Sequence, residues 1–322
     1  MHRPRITLAV NSYDRHSPLL EATVDNPTFD FDVLEVSQSQ EGRHGNRRHE
    51  RFLHTLEWDA CELSLSSYLV ARDQGAPIEA VPVFPRRLFS QSQMYKHLGS
   101  GIHGPSDLVG KRVGLNTYQT TLSVLAKGDL DHVYGVPWKS ITWVTSRQEG
   151  LEVELPSDVT LELATTEQID QDLAEGRIHA YFGPHPPKPY LQGHPNVGRL
   201  FADPKAEEER YLREEGYFPI MHVVAFKRDT AERYPELPGA LFTIFEDARQ
   251  LARTRWDDPN WSLLVWGRHE LERQQALCGF DPWRNGLEAN RKNLERFATY
   301  SNEQGLTSRR LSPDEVFPTP AS

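Results

Sequence analysis

The chain of 322 residues carries 36 Lys and Arg against 46 Asp and Glu, a formal net charge of −10, with 38% hydrophobic and 25% charged residues. That balance excludes chain-wide disorder and argues against a general nucleic-acid binder, which presents a basic face; no run approaches the ~18–20 apolar residues of a membrane helix. Cys61 and Cys278 are the two cysteines, too few for a disulfide framework or a four-thiolate zinc site. The length suits two domains or lobes.

In chain order, the first apolar run, 6–10, reads as a strand rather than the core of a secretory leader, so a cytoplasmic protein is expected. Short runs rich in β-branched and aromatic residues predict further strands at 32–36, 78–84, 112–115, 141–144, 178–182 and 222–226. Between them, Leu122, Leu125 and Ala126 predict a helix from about Thr120 that Gly128 ends. Thr165 and Gln168 form a capping box for a helix running to Glu175 and closed by Gly176. The segment 206–216 reads as a charged, exposed helix. Leu241, Ile244, Phe245, Ala248, Leu251 and Ala252 predict an amphipathic helix over 238–254. The tail from Ser308, with Pro313, Pro318 and Pro320, wraps a surface or frays. Strand–helix alternation predicts α/β architecture. The expected division is a first lobe of 1–95 plus 222–322 and a second of 105–215. Crossovers near 95–105 and 216–222 would leave a ligand-binding cleft between the lobes.

Six stretches occur together in order: CELSLSSYL (61–69), AVPVFPRRLF (80–89), GIHGPSDLVGKRVGLNTYQTT (101–121), KGDLDHVYGV (127–136), YFPIMHVVAFKRD (217–229) and FDPWRNGLEANRKNLERFATYSNEQGL (280–306). As a set they resemble the 4,5-dihydroxyphthalate decarboxylase family, on the two-lobed type 2 periplasmic-binding-protein fold. The resemblance implies a lyase that decarboxylates a hydroxylated aromatic carboxylic acid. The same fold also hosts solute receptors and other lyases, such as chorismate dehydratase, so the fold leaves function open. The chain departs from the family pattern after Phe89: Ser90-Gln91 stand where the pattern has Arg-His.

Such a decarboxylation needs cations or N–H donors for carboxylates, an acceptor for ring hydroxyls and an acid near the ring carbon, with no metal or organic cofactor obligatory. Arg86 and Arg87 follow a strand and either clamp a carboxylate or bridge surface acids; Arg87 aligns with the family arginine. Tyr118, Thr120 and Thr121 sit at a strand-to-helix turn, where free N–H groups suit an anion or plain capping. His222 is a candidate general acid or a core histidine, and His185, on a Pro-rich loop, a second candidate acid. Glu62 could accept a phenolic proton and Ser66 or Ser67 contact the ligand, or all three could belong to a capping network. The basic segment 42–52 reads as an electropositive lip or a solvated loop, with Arg51 matching a family arginine. Asp281, Trp283 and Asn285 read as structural. The expected partner is a small aromatic carboxylate, not nucleic acid or membrane, and a homo-oligomer stays open.

Overall fold

The computed structural model describes residues 2–39 and 42–317; Pro318 and Pro320 lie outside them. The contacts divide the chain into two units, Met1–Arg86 with His222–Arg291 and Ser312–Ser322, and Arg87–Met221 with Lys292–Leu311. The first switch therefore falls between Arg86 and Arg87 rather than near 95–105, and Lys292–Leu311 joins the second unit.

The first unit is built on β1 (Arg5–Val10), β2 (Asp30–Glu35), β3 (Ala60–Ser64), β4 (Ile78–Val81) and, as the last strand in sequence, one over His222–Lys227. Its sheet order is β2-β1-β3, then His222–Lys227, then β4. β1 pairs parallel with β2 and β3, whereas His222–Lys227 runs antiparallel to β3 and β4. One edge of the sheet therefore gathers the C-terminal ends of β1 to β4 and the first residue of the antiparallel strand, His222. Chain order reverses beside β1, where an open α/β sheet leaves a crevice at the carboxyl ends of its strands. Numbering helices of eight residues or more, α1 spans Arg48–Thr55 and α2 spans Leu65–Asp73. The basic segment 42–52, expected as an electropositive lip or a solvated loop, instead enters α1, on which Arg48, His49 and Phe52 form one buried face.

The second unit holds β5 (Met94–His97), β6 (Arg112–Leu115), β7 (Thr142–Thr145), β8 (Leu161–Leu163), β9 (Ala180–Phe182) and β10 (Val197–Arg199), in the order β10-β5-β9-β6-β7-β8. His222–Lys227 is then β11. The helices are α3 (Thr121–His132), α4 (Thr166–Glu175) and α5 (Pro204–Glu215). Thr165 caps α4 through the Gln168 N–H, and Gly176 closes it at φ 79°, as its sequence predicts. The charged helix α5 is not exposed throughout, because Tyr211 and Leu212 are buried.

Later helices are α6 (Leu237–Arg255), α7 (Gly267–Cys278) and α8 (Leu287–Glu303). The apolar stripe of α6, Leu241, Ile244, Phe245 and Ala248, packs with Ile6, Leu8, Val10, Val224 and Phe226 to form the core of the first unit. The described part of the tail does not fray. Ser312 and Glu315 cap a short helix over Pro313–Val316, and Phe317 packs its ring against Tyr68 and Phe84. Among the described residues, no helix is long and apolar enough to cross a membrane.

Gly128 does not end α3. It lies inside the helix, where a Cβ would overlap the ring of Tyr300. The glycine is there for close approach, not as a cap. Gly128→Ala gains about 1 kcal/mol of helix propensity but forces Tyr300 out of place, at roughly 1–3 kcal/mol or more. A lower denaturation midpoint is expected, whereas Gly128→Ala combined with Tyr300→Ala should lose less than the sum of the two single changes.

Candidate active site

Glu62 is fully buried in the middle of β3, with β1 on one side and β11 on the other. An isolated carboxylate there would cost several kcal/mol. Its surroundings supply the compensation. Arg48, also fully buried, sets Nη2 at 3.4 Å from Oε1 of Glu62. The same guanidinium donates through Nε to the Glu62 carbonyl at 2.7 Å and through Nη1 to the Val36 carbonyl. The Asn11 N–H, just past β1, donates to Oε2 at 2.9 Å, and the Tyr13 hydroxyl donates to Oε1 at 3.3 Å. His222 completes the set, with Nδ1 at 2.5 Å from Oε1. The ring of His49 meets that of His222 edge-on, centroids 4.9 Å apart at 85°. Each group comes from the same edge of the sheet: Asn11 and Tyr13 after β1, Arg48 and His49 after β2, Glu62 within β3, Arg86 after β4 and His222 at the start of β11.

The charge states follow. Burial would raise Glu62, but Arg48 and the His222 bond outweigh it and hold the carboxyl well below the usual range. Burial pushes His222 down to about 4; Glu62 pulls against it, while Arg86 and Arg48 push the same way as burial. His49 is lowered by burial, by His222 and by Arg48, and His16 falls to about 3, chiefly through burial. At neutral pH the cluster is an ionised carboxylate compensated by a guanidinium, with neutral imidazoles around it. A neutral His222 donates Nδ1–H to Glu62, which leaves Nε2 as the ring's proton-exchanging nitrogen.

The structure thus brings Glu62, His222 and Arg86 together. Glu62 stands behind His222 rather than open to a ligand, because its oxygens are engaged by Asn11, Tyr13, Arg48 and His222. Ser64 caps α2 through the Ser67 N–H at 3.3 Å; Ser66 is buried and Ser67 half-buried at that helix start. Arg51 is held apart by both carboxylate oxygens of Glu57, at 2.7 and 2.5 Å, and by the Trp58 ring. The Asp281–Gly286 segment is structural: Trp283 stacks on Arg15, whose guanidinium also stacks on Tyr13, and Asn285 accepts the Phe84 N–H.

Arg87, Tyr118, Thr120, Thr121 and His185 belong to the second unit. Arg87 is buried and donates Nη1 to the Phe218 carbonyl at 2.7 Å. His185 is exposed on the loop after β9. Tyr118, Thr120 and Thr121 stand at the start of α3, where the backbone N–H groups of Tyr118 and Gln119 donate to the Glu149 carboxylate at 2.6 and 3.0 Å. Thr120 donates its N–H to the Thr117 hydroxyl. Beneath them the buried Lys127 donates to the Tyr118 carbonyl at 2.9 Å. The seat read from the sequence as suited to an anion therefore carries one of the chain's own carboxylates.

Ser90 donates to buried Asp129 at 2.6 Å; Tyr211 and Tyr300 donate to the same carboxyl at 3.3 Å. Burial raises Asp129 to about 7. Sequence reasoning found neither Arg48, His49, Tyr13 nor the Asp129 cluster. One signal was present: an acid in the apolar strand Ala60–Ser64 demands a buried cation. Among the described residues, no group of three or more His, Cys, Asp or Glu forms a metal site.

Two curated proteins are similar to this chain in sequence. It is 36% identical over 327 aligned residues to the 4,5-dihydroxyphthalate decarboxylase of Comamonas testosteroni, covering 98% of this chain and 97% of that protein. It is 35% identical over 229 residues to the 4,5-dihydroxyphthalate decarboxylase of Pseudomonas putida, covering 67% of this chain and 84% of that protein. No family model matches the chain. Among solved structures, the periplasmic aliphatic sulphonate-binding protein of Escherichia coli superposes with TM-score 0.55 at 13% identity over 100% of this chain and 94% of that one. The alkanesulfonate-binding protein of Xanthomonas axonopodis pv. citri gives 0.55 at 14% over 97% of each. These likenesses show an α/β fold of the type 2 periplasmic-binding-protein class.

Two outcomes follow from the buried charges. Arg48→Met leaves Glu62 uncompensated and should cost about 3–5 kcal/mol in urea unfolding, of which the Arg48→Met, Glu62→Gln double variant recovers part. Asp129 is raised from 3.8 unfolded to about 7 folded. Its contribution is therefore present below pH 4 and lost as pH rises through 7. Asp129→Asn should be more stable than the parent at pH 8 by on the order of 2–4 kcal/mol, with the gain vanishing near pH 4 in parallel melts.

Proposed function

This chain belongs to the 4,5-dihydroxyphthalate decarboxylase family, and we propose that it is itself a carboxy-lyase, acting on a hydroxylated aromatic carboxylate of the 4,5-dihydroxyphthalate type with His222 as the proton-transfer residue. The observation that carries the reading is the 2.5 Å bond from His222 to a buried, ionised Glu62 at the sheet edge. A side chain that must accept and release one proton gains from a fixed carboxylate behind it, which orients the ring and stabilises the imidazolium.

The chemistry requires a proton on the ring carbon that bears the carboxylate. The imidazolium of His222 delivers it through Nε2 while a ring hydroxyl ortho or para to that carbon pushes an electron pair into the ring and gives up its own proton to water. The resulting dienone carboxylate then breaks its bond to the carboxyl carbon. That electron pair returns to the ring, carbon dioxide leaves, and the oxygen regains a proton from water. Neutral His222 recovers its proton from solvent. Glu62 is a positioning residue, and Arg86, whose charge already lowers His222, is the cation for a substrate carboxylate. An anionic substrate beside Arg86 and His222 offsets the push of Arg86 and draws a proton onto the imidazole.

The test is a carbon dioxide release assay with 4,5-dihydroxyphthalate and a panel of related hydroxybenzoic acids. Turnover is expected, and His222→Asn should lower kcat by ~10²–10⁴. Calorimetry at pH 7 in buffers of differing ionisation enthalpy should find proton uptake on substrate binding to the parent and none to His222→Asn. Tight binding without carbon dioxide release would favour a receptor. Unchanged turnover in the variant would remove His222 from the chemistry.

A further inference from the structure

We infer that Arg15, covered by Trp283, is a positioning residue for the proposed decarboxylation: it holds Arg86 in place beside the Glu62–His222 pair. The inference rests on the carboxy-lyase reading of the same site. Arg15 lies in the loop after β1, and its guanidinium meets two aromatic rings. Its Cζ is 4.3 Å from the ring centroid of Tyr13 and 3.9 Å from that of Trp283. Its Nε donates to the Pro85 carbonyl at 2.8 Å, across 70 residues of chain. The side chain is 18% exposed, whereas its acidic partner, Asp14, is 53% exposed and touches it at 3.3 Å. An ion pair with so exposed an acid adds little, and covering a guanidinium is costly unless its contacts compensate it. The rings and the Pro85 carbonyl supply that compensation.

Those contacts lead to the reacting groups on both sides. Tyr13 donates its hydroxyl to Oε1 of Glu62 at 3.3 Å, the same oxygen that His222 engages. Pro85 directly precedes Arg86, whose carbonyl accepts the His222 N–H at 3.2 Å. β4 ends at Val81, so the chain reaches Arg86 through an irregular stretch, 82–86. The Gly286 N–H ties down the Pro82 carbonyl at 2.8 Å, the Val224 N–H the Val83 carbonyl at 3.2 Å, and Asn285 the Phe84 N–H at 2.8 Å. Arg15 on Pro85 is the last of these ties before Arg86. Trp283 comes from the same segment as Asn285 and Gly286, so 281–286 secures both the stretch and the arginine that pins its end. The guanidinium thus spans from the ring of Tyr13, which is anchored on Glu62, to the backbone that carries Arg86. A site keeps its geometry when the residues that support it are themselves locked. A lysine could carry the charge, but an ammonium lacks the planar group that stacks on rings while donating from its edge.

Carbon dioxide release from 4,5-dihydroxyphthalate and the acid panel, with a melting curve for each variant, tests this. Arg15→Lys keeps the charge and loses the planar group. It should raise KM about tenfold or more, because the cation for the substrate carboxylate is displaced. A merely structural loss would remove active protein and lower kcat alone. In the Arg86→Ala background the same change should move KM by less than about twofold, since the group it positions is gone. Trp283→Leu should also raise KM, and Trp283→Phe, which keeps a ring face, should recover most of the rise. If Arg15→Lys loses its melt, the two Trp283 variants decide by the same criterion. An unchanged KM in folded, active variants, or an equal rise with and without Arg86, overturns the inference and leaves the carboxy-lyase reading standing. A parent that releases no carbon dioxide from any acid of the panel overturns that reading, and the inference with it.

Discussion

A carboxylate at the centre of a hydrophobic sheet has to be compensated before anything else about the first unit can be arranged. Glu62 lies in the strand where burial is most complete, and the guanidinium of Arg48 is buried with it. That pairing dictates the local structure around it. Arg48 must begin a helix directly behind β3, so the basic segment after β2 becomes α1 instead of a solvated loop. Its remaining donors tie the carbonyls of Val36 and Glu62, which fastens the end of β2 to the middle of β3. A lysine could carry the charge but could not satisfy three separate acceptors from one planar group.

With the charge of Glu62 met by Arg48, His222 is relieved of being its counter-ion. The imidazole stays neutral and keeps a 2.5 Å bond to a strong acceptor. It is a neutral ring whose tautomer the carboxylate fixes. Burial comes first in opposing its protonation, and the charges of Arg86 and Arg48 act the same way. In the carboxy-lyase reaction proposed for this site, coupling between carboxylate binding and protonation would link recognition to chemistry.

The second unit solves its buried charges differently. Glu149 sits on two backbone N–H groups ahead of α3, the usual place for an anion, and Asp129 is surrounded by hydroxyls. Ser90 belongs to that second cluster. A carboxyl held by hydroxyls alone stays protonated to about pH 7. Ser90-Gln91 therefore lie inside the second unit, with Ser90 at a buried acid.

The element types of this protein were legible in its residues. β1, β2 and β6 follow from short runs of β-branched and aromatic residues, α6 from its apolar period and α4 from the Thr165 cap and Gly176, all signals that lie within a few residues of chain. The family was legible too, from six ordered stretches. His222 and Glu62 could be named as candidates, but their 160-residue separation hides a bond that only antiparallel pairing of β11 with β3 creates. Arg48 and His49 looked like surface charge, since nothing in an arginine-rich segment says which guanidinium will be drawn inside. Gly128 looked like a stop signal until Tyr300 filled the space beside it. Local sequence determined where most of these strands and helices form, α1 excepted. Tertiary structure decided which charges are buried, because that depends on which distant residue is there to compensate them.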